Sequence, residues 1–254
     1  DLLRPIASKL LVVGGEGDGV ARLAASPAMP GAVGREIEGY VGLPWADPAR
    51  DHTDVMCAGI LDHVHATAGG TPPLSVDASE GEVAGITYSI EGHGPPLVLI
   101  PLMLAPSQWA PLIPRLRERY TTITLGGQEL GFVPLLEDRA RTTGYTRLVG
   151  SMLDAAGLAP TDDLLEVGCG PGSLLRWMVA SERVRRVVGV DINDYLLGEA
   201  RRQADLEGLG DAIDLRQGNA ESLPFPDARF DVTFSSTVME EGDADLMLGE
   251  MIRV

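Results

Sequence analysis

The segment from Leu164 to Met178, LLEVGCGPGSLLRWM, carries the clearest chemical pattern in the chain. A run of apolar residues contains one acid, Glu166, and then passes through Gly168, Gly170 and Gly172 into a helical pattern. Glycines at this spacing let the backbone turn sharply and let a ligand approach where a Cβ atom would collide. The free N–H groups of the following helix face the same place. The pattern therefore predicts a ligand-binding turn between a strand and a helix.

A dinucleotide-binding loop is the nearest alternative for this turn. Its G-x-G-x-x-G/A pattern would place the third small residue at Ser173, whereas this chain has Gly172 and an acid, Glu166, before the loop. These differences argue against NAD. A glycine-rich turn that binds nothing remains the structural alternative.

A second acid follows at the end of the next apolar run, VVGVDIND, from Val187 to Asp194. Asp191 lies roughly 20 residues beyond the loop, at the predicted tip of the neighbouring strand. A carboxylate at this position can accept hydrogen bonds from both ribose hydroxyls. It therefore indicates a nucleotide-like ligand without separating one such cofactor from another.

The sequence EVGCGPG resembles motif I of the class I S-adenosylmethionine-dependent methyltransferases. The resemblance implies that Glu166 lies near the methionine moiety of S-adenosylmethionine and that the backbone from Gly168 to Gly172 cradles this cofactor. The amino group and the sulfonium of the cofactor are both cationic, which suits an acid at this position. Cys169 is expected to be a small packing residue of the cofactor-binding loop. By the same resemblance Ile192 lies on the adenine face, with a core isoleucine as the alternative.

A third segment, RQGNAESLPFPDARFDVTFSS, is similar to the stretch from the third to the fourth strand of this family. Many relatives have an Asp-Ala pair after the third strand, where the acid contacts the adenine amino group, whereas this chain has Asn219 and Ala220. Asn219 keeps an acceptor oxygen, so the contact can persist. Ser235 and its neighbours, at the end of the fourth strand, are expected to lie beside the transferable methyl group.

Methyl transfer from a sulfonium requires that nucleophile, methyl carbon and sulfur be held in line, so positioning and exclusion of water can supply much of the acceleration. No catalytic triad is needed. For a hydroxyl or carbon acceptor, Glu240 or Glu241 is a candidate base, although a solvated helix start is the simpler interpretation of both residues. The histidines lie outside this region. We expect no metal site, because Asp62-His63-Val64-His65 is only a weak ligand pattern.

Strand and helix patterns alternate through the last part of the chain. This alternation predicts an α/β fold, a Rossmann-like parallel sheet with helices on both faces, of which this chain supplies the first four strands of a seven-strand arrangement. We expect the natural gene to continue past Val254, because the fourth strand would otherwise form an exposed apolar edge. The alternative is that residues 97–100 cover this edge. The predicted strands are 164–167, 187–190, 213–216 and 230–235, and the predicted helices are 145–158, 173–181, 194–206 and 244–252.

The first half of the chain is predicted to be an α/β accessory region. Its patterns give strands at 10–18, 83–90 and 97–100 and helices at 55–66 and 111–120, with breaks that suggest domains 1–70, 71–142 and 143–254. Residues 92–124 resemble the opening part of an α/β-hydrolase, and residues 10–66 resemble a closing part in which Asp18 and His52 would be acid and base. The order is reversed, and the chain has no G-x-S-x-G nucleophile motif. A working hydrolase is therefore disfavoured.

Composition narrows the remaining classes of protein. The 254 residues include 37 acidic and 20 basic side chains, and the formal net charge of −17 disfavours a nucleic-acid partner. Two cysteines, with no signal peptide or membrane-spanning stretch in the sequence, favour a cytoplasmic location. Homo-oligomerisation stays open.

The leading hypothesis is an enzyme of class EC 2.1.1 that transfers a methyl group from S-adenosylmethionine to a small-molecule acceptor and yields S-adenosylhomocysteine. The alternatives are a non-catalytic S-adenosylmethionine-binding or interaction protein and a degenerate α/β-hydrolase. The sequence does not specify the acceptor or the atom that is methylated.

Overall fold

The computed structural model describes residues 9–15, 19–40, 48–67, 70–127 and 130–254. The chain divides into two compact units after Phe132. The C-terminal unit includes most of a helix, residues 132–141, that the sequence pattern assigned to the preceding region. The expected domain limits at residues 70 and 142 remain predictions.

The N-terminal unit contains two small sheets. One pairs two parallel strands, and the other, in the order β3-β4-β6-β5, is antiparallel except for its β5–β6 pair. The elements are β1 (Leu11–Gly15), α1 (Val20–Ala24), β2 (Val33–Ile37), α2 (Pro48–Asp51), α3 (Thr53–Thr67), β3 (Ser79–Val83), β4 (Ile86–Gly92), β5 (Pro96–Leu99), a 3₁₀ turn (Pro106–Trp109), α4 (Ile113–Leu116) and β6 (Thr121–Gly127).

One core joins both sides of residue 70, because Cys57 of α3 and Leu99 of β5 are buried in the same apolar cluster as Trp109 and Leu112. The single strand predicted over residues 83–90 is wrong. These residues belong to the hairpin β3–β4, whose turn residues Ala84 and Gly85 both have positive φ, as a tight hairpin requires.

The other predictions for this unit have mixed outcomes. The predicted helix 111–120 is regular only over α4. His52 contacts the ring of Tyr40 edge-on at 4.5 Å between ring centroids. Asp18 lies outside the described residues, so the proposed pairing of Asp18 with His52 stays a prediction. His63 Nε2 lies 2.8 Å from the carbonyl oxygen of Lys9, and no group of His, Cys, Asp and Glu within the described ranges could hold a metal ion.

The C-terminal unit has the predicted alternation of strands and helices. Its four strands are all parallel, in the order β10-β7-β8-β9, which confirms the Rossmann-like α/β class. The elements are α5 (Phe132–Arg141), α6 (Thr143–Ala155), β7 (Leu164–Val167), α7 (Ser173–Ala180), β8 (Val187–Asp191), α8 (Asp194–Leu206), β9 (Ile213–Gln217), β10 (Val232–Ser235) and α9 (Ala244–Arg253).

Strand β7 is the centre of this unit, and all four of its residues are buried. Neighbouring side chains on a strand point to opposite faces of a sheet. Leu164 accordingly joins the cluster that contains Leu175 and Met178 of α7, whereas Leu165 joins the cluster that contains Met251 of α9. The sheet is therefore covered on both faces, which holds the carboxyl end of β7 in a fixed position.

Helix α6 packs through only some of its apolar residues. Leu148 and Met152 are 58% and 49% exposed, whereas Val149 and Leu153 are buried against the sheet. A Cβ atom at Gly150 would lie 2.6 Å from the guanidinium of Arg183, so the absence of a side chain at this glycine leaves room for Arg183 beside the helix.

Strand β10 pairs with β7 alone among the described strands. Residues 97–99 of the segment proposed as a cover for this edge form β5, which pairs with β6 in the N-terminal unit. No helix within the described part of the chain has the length and apolar character needed to cross a membrane.

A buried ion pair ties α5 to α7. Arg176 is 4% exposed and Glu137 is 9% exposed, and the guanidinium of Arg176 contacts the carboxylates of Glu137 and Glu207 and the carbonyl of Pro171. Burial raises the pKa of Glu137, and the adjacent Arg176 opposes this effect. Removing one member of such a pair leaves the other charge buried without a partner.

We expect Arg176→Met to lower the free energy of unfolding of the C-terminal unit by about 3–5 kcal/mol, with most of the loss recovered in Arg176→Met/Glu137→Leu. Native-state hydrogen exchange of the α7 amides measures this unit directly. The matched control is Arg216→Met, which breaks an exposed pair with Asp214 and should cost below about 1 kcal/mol. Equal losses in Arg176→Met and Arg216→Met would contradict the structural role of the buried pair.

Candidate functional site

The turn after β7 has the backbone conformation that its glycines permit. Gly168, Gly170 and Gly172 have φ angles of +74°, +53° and +71°. The N–H groups of Gly168 and Cys169 both donate to the carbonyl of Val190 in β8, at 2.8 and 3.0 Å. The turn is therefore fastened to the end of the neighbouring strand and leads directly into α7.

Asp191, the acid at the end of β8, is hydrogen-bonded to the glycine turn after β7. Its Oδ2 accepts from the N–H of Gly170 at 2.8 Å, and its Oδ1 accepts from the N–H of Asn193 at 2.8 Å. Burial raises the pKa of Asp191, and the backbone N–H groups of Asn193, Gly170 and Ile192 oppose this effect. An ionised carboxylate oxygen can accept more than one hydrogen bond, so both oxygens keep capacity for a ligand hydroxyl.

Glu166 lies on β7, whose register places it opposite Gly189 of β8. Its side chain is 2% exposed, and its Oε2 has no hydrogen-bond partner among the described residues. Burial raises the pKa of Glu166 well above its usual value, and the negative charge of Asp191 raises it further. A buried carboxylate oxygen without a hydrogen-bond partner is rare in a folded protein. A cationic ligand group next to Glu166 would satisfy it, which fits the amino group and sulfonium of S-adenosylmethionine.

Two glycines of the turn differ in what surrounds them. A Cβ atom at Gly168 would lie 2.7 Å from the side chain of Val238, so Gly168 is needed for packing. A Cβ atom at Gly170 would have only the Cδ1 atom of Leu136 within 4 Å, at 3.6 Å. Space therefore lies beside Gly170, where a ligand could contact the backbone.

Helix α5 contacts the glycine turn and the start of α7. The carbonyl of Leu136 accepts from the hydroxyl of Ser173 at 3.1 Å, and Arg176 links Glu137 to the carbonyl of Pro171. No helix is predicted over residues 132–141, and the contacts of α5 join residues 37 and 39 positions apart, which no local sequence signal indicates.

Cys169 has the packing role expected of it. It is 6% exposed, and its Sγ atom lies 2.9 Å from where a Cβ atom at Gly189 would be. Burial, followed by the charges of Asp191 and Glu166, raises the pKa of its thiol well above the usual value. A thiol of this kind is not activated as a nucleophile.

The residues predicted for the adenine side lie at the ends of β8 and β9. Ile192 is 49% exposed, which excludes the core alternative and leaves its side chain accessible to a ring. The N–H of Gly218 donates to the carbonyl of Asp191 at 3.0 Å, which holds the two strand ends together. Asn219 is exposed, and its Oδ1 accepts from the N–H of Glu221 at 2.9 Å. Ala220 is partly buried and packs against the apolar cluster that contains Leu165 and Val167 of β7.

Ser235 ends β10, next to the glycine turn, and its hydroxyl donates to the carbonyl of Val167 at 2.9 Å. Ser236 and Thr237, which follow it, contact Tyr145 of α6 and Arg139 of α5 respectively. Glu240 and Glu241 are exposed in a 3₁₀ turn, residues 239–241. The structure thus brings Glu166, the turn, Asp191 and Ser235 together and places Glu240 and Glu241 on the surface.

Comparison with known proteins agrees with this geometry. Residues 165–254 match a family model described as a methyltransferase domain. The chain is 36% identical over 112 residues to 24-methylenesterol C-methyltransferase 2 of Oryza sativa subsp. japonica, covering 43% of this chain and 30% of that protein. It is 37% identical over 97 residues to demethylmenaquinone methyltransferase of Symbiobacterium thermophilum, covering 37% and 39%.

A solved structure with similarity is geranyl diphosphate C-methyltransferase from Streptomyces coelicolor A3(2), in complex with Mg²⁺, geranyl diphosphate and S-adenosyl-L-homocysteine. The TM-score is 0.38 at 22% identity, with 41% of this chain and 39% of that chain covered.

The parallel sheet, the glycine turn and the two carboxylates lie together at the carboxyl ends of the strands, where ligands bind in sheets of this kind. Residues 165–254 match the methyltransferase-domain family, and S-adenosylmethionine is the cofactor of the class I methyltransferases that the C-terminal unit resembles. The chain spans 30% and 39% of the length of the two curated relatives named above.

The raised pKa of Glu166 leads to a prediction about stability. A carboxyl whose pKa is higher in the folded state favours folding below its unfolded pKa of about 4.3 and loses this effect as the pH rises. We therefore expect ligand-free Glu166→Gln to melt at a higher temperature than the wild type at pH 8, with the difference shrinking as the pH approaches 4. Scanning calorimetry across this range is the measurement.

Exposed Glu118 provides the matched control, because Glu118→Gln should leave the melting temperature unchanged at every pH. We also expect S-adenosylhomocysteine to raise the melting temperature of Glu166→Gln less than that of the wild type. A ligand-free Glu166→Gln that melts at or below the wild-type temperature at pH 8 would show that Glu166 is satisfied within the protein.

Proposed function

We propose that the C-terminal unit binds S-adenosylmethionine and transfers its methyl group to a small-molecule acceptor, an activity of class EC 2.1.1. The observation that carries this proposal is buried Glu166, whose Oε2 has no partner among the described residues, beside a glycine turn that is hydrogen-bonded to Asp191. A cationic amino group and a ribose match these two carboxylates. The family match over residues 165–254 supports the same conclusion.

Each residue of the site has a proposed task. Glu166 binds the amino group, the backbone from Gly168 to Gly172 carries the methionine and ribose portions, and Asp191 accepts from the ribose hydroxyls. Exposed Ile192 lies against the adenine face. The full set of proposed cofactor-binding residues is Glu166, Gly168, Cys169, Gly170, Gly172, Asp191, Ile192, Asn219, Ala220 and Ser235.

When bound, S-adenosylmethionine supplies an electrophilic methyl group on a positively charged sulfur. The chain's own residues bind, orient and exclude water, because an in-line displacement depends mainly on alignment. Ser235 and the turn after it border the place where the acceptor would enter. Glu240 and Glu241 remain candidate bases for an acceptor that must lose a proton.

The acceptor is proposed to be a small molecule rather than a nucleic acid, given the net charge of −17. The named relatives support this class, since their names specify a sterol and demethylmenaquinone. A cytoplasmic location remains a prediction.

Replacement of Gly170 tests the cofactor site. In Gly170→Ala the added Cβ fits the ligand-free protein but occupies the space proposed for the cofactor, so affinity for S-adenosylhomocysteine should fall by about tenfold, or about 1.4 kcal/mol. Asp191→Ala should also weaken binding. Isothermal titration calorimetry measures both effects.

Gly208→Ala is the matched control for Gly170→Ala. Gly208 has a φ of +71° and open space around its Cβ position, so this variant carries similar backbone strain outside the site. We expect it to keep wild-type affinity. Full-strength binding by Gly170→Ala would refute the proposed site.

Methyl transfer separates the enzyme from a non-catalytic binding protein. Incubation of the full chain with methyl-labelled S-adenosylmethionine and a small-molecule extract should yield a labelled product, and Asp191→Ala should reduce it. Cofactor binding without transfer to any component of diverse extracts would favour the binding protein.

A further inference from the structure

Two helices contribute side chains that hydrogen-bond to the turn after β10. The hydroxyl of Tyr145 in α6 hydrogen-bonds that of Ser236, and Nη1 of Arg139 in α5 donates to Oγ1 of Thr237 at 3.1 Å. We call Arg139, Tyr145, Ser236 and Thr237 the strand-end cluster. It contains a guanidinium and three hydroxyl groups within one small region.

The backbone of this cluster is strained. Thr237 has a φ of +65°, a conformation that β-branched residues rarely adopt. Such strain persists only where surrounding contacts impose it, and it is concentrated at ligand-binding and active sites. The hydrogen bond from Arg139 is one of those contacts.

The strand-end cluster borders the proposed cofactor site. Val238, the next residue after the cluster, packs against Gly168 of the turn, and Leu136, one helical turn before Arg139, packs against Gly170. Helix α5 therefore reaches from the glycine turn to the turn after β10. Ligands of parallel α/β sheets bind at this carboxyl edge.

The guanidinium of Arg139 has more N–H donors than it uses within the described residues. Within the described ranges its hydrogen bond is to the Thr237 hydroxyl, and no carboxylate lies within ion-pair distance of it, although acidic residues far outnumber basic ones in the chain. Its Cζ lies 6.0 Å from the ring centre of Tyr145. A guanidinium has five N–H donors and binds anionic oxygens with short, charge-assisted hydrogen bonds.

We infer that the strand-end cluster binds an anionic oxygen group of the methyl acceptor, a carboxylate or a phosphate. Arg139 supplies the charge, while the hydroxyls of Tyr145 and Thr237 donate to the same group. The acceptor is thus a small anionic molecule whose charged end is anchored at this edge of the sheet. This inference rests on the proposed function, because it assigns the cluster to the acceptor of that reaction.

A matched pair of probes tests this inference on the full chain. Benzoate and benzamide have nearly the same shape and differ in charge, and ligand-observed NMR titration gives the affinity of each in the presence of saturating S-adenosylhomocysteine. We expect benzoate to bind about tenfold more tightly than benzamide to the wild type. This preference should vanish in Arg139→Gln and persist in part in Arg139→Lys. Inorganic phosphate should compete with benzoate.

Arg147→Gln is the control, because Arg147 is an exposed arginine of the neighbouring helix outside the cluster. It should keep the full preference for benzoate. Equal affinity of the wild type for the two probes, or an unchanged preference in Arg139→Gln, would overturn the inference while leaving the proposed function intact. Failure of the wild type to bind S-adenosylhomocysteine in the same samples would overturn the proposed function itself.

Discussion

Glu166 and Asp191 lie on adjacent strands of the C-terminal sheet, both largely removed from solvent, and each carries a negative charge when ionised. Burial raises the pKa of both, and the charge of Asp191 adds to the effect on Glu166. Backbone N–H groups satisfy Asp191, whereas Oε2 of Glu166 has no partner in the described part of the protein. The folded chain thus tolerates an unfavourable charge arrangement that a cationic ligand would relieve.

The surrounding structure keeps these carboxylates in position. Strand β7 is buried on both faces, so Glu166 cannot turn toward solvent without disrupting the core. The glycine turn is fastened to β8 through Val190 and Asp191, and α5 is fastened to α7 through the Arg176–Glu137 pair. The packing that makes the core rigid therefore also fixes the positions of the site residues.

The local features of this unit could be predicted from the sequence. Strand β7 and helix α8 have the predicted limits, because an apolar run that ends at a glycine turn and an Asn193 cap that accepts from the N–H of Leu196 are local signals. The class of fold and the motif around Gly168 followed from the same kind of signal. Long-range contacts did not, since Arg176 and Glu137 are separated by 39 residues and Arg139 and Thr237 by 98.

Two elements show where residue type alone is insufficient. The apolar residues of α6 lie on more than one side of the helix, and Val149 and Leu153 are the ones buried against the sheet. The residues 83–90 alternate like one strand, although the positive φ of Ala84 and Gly85 makes them part of a hairpin. In both cases a tertiary contact or a backbone conformation, rather than residue type, fixed the outcome.

Diffraction from crystals of the full chain grown with S-adenosylhomocysteine tests the central claim most directly. We predict density with the ligand amino group within hydrogen-bond distance of Glu166 and both ribose hydroxyls within hydrogen-bond distance of Asp191. Ligand density at another place on the protein, with Glu166 and Asp191 contacting no ligand atom, would contradict it.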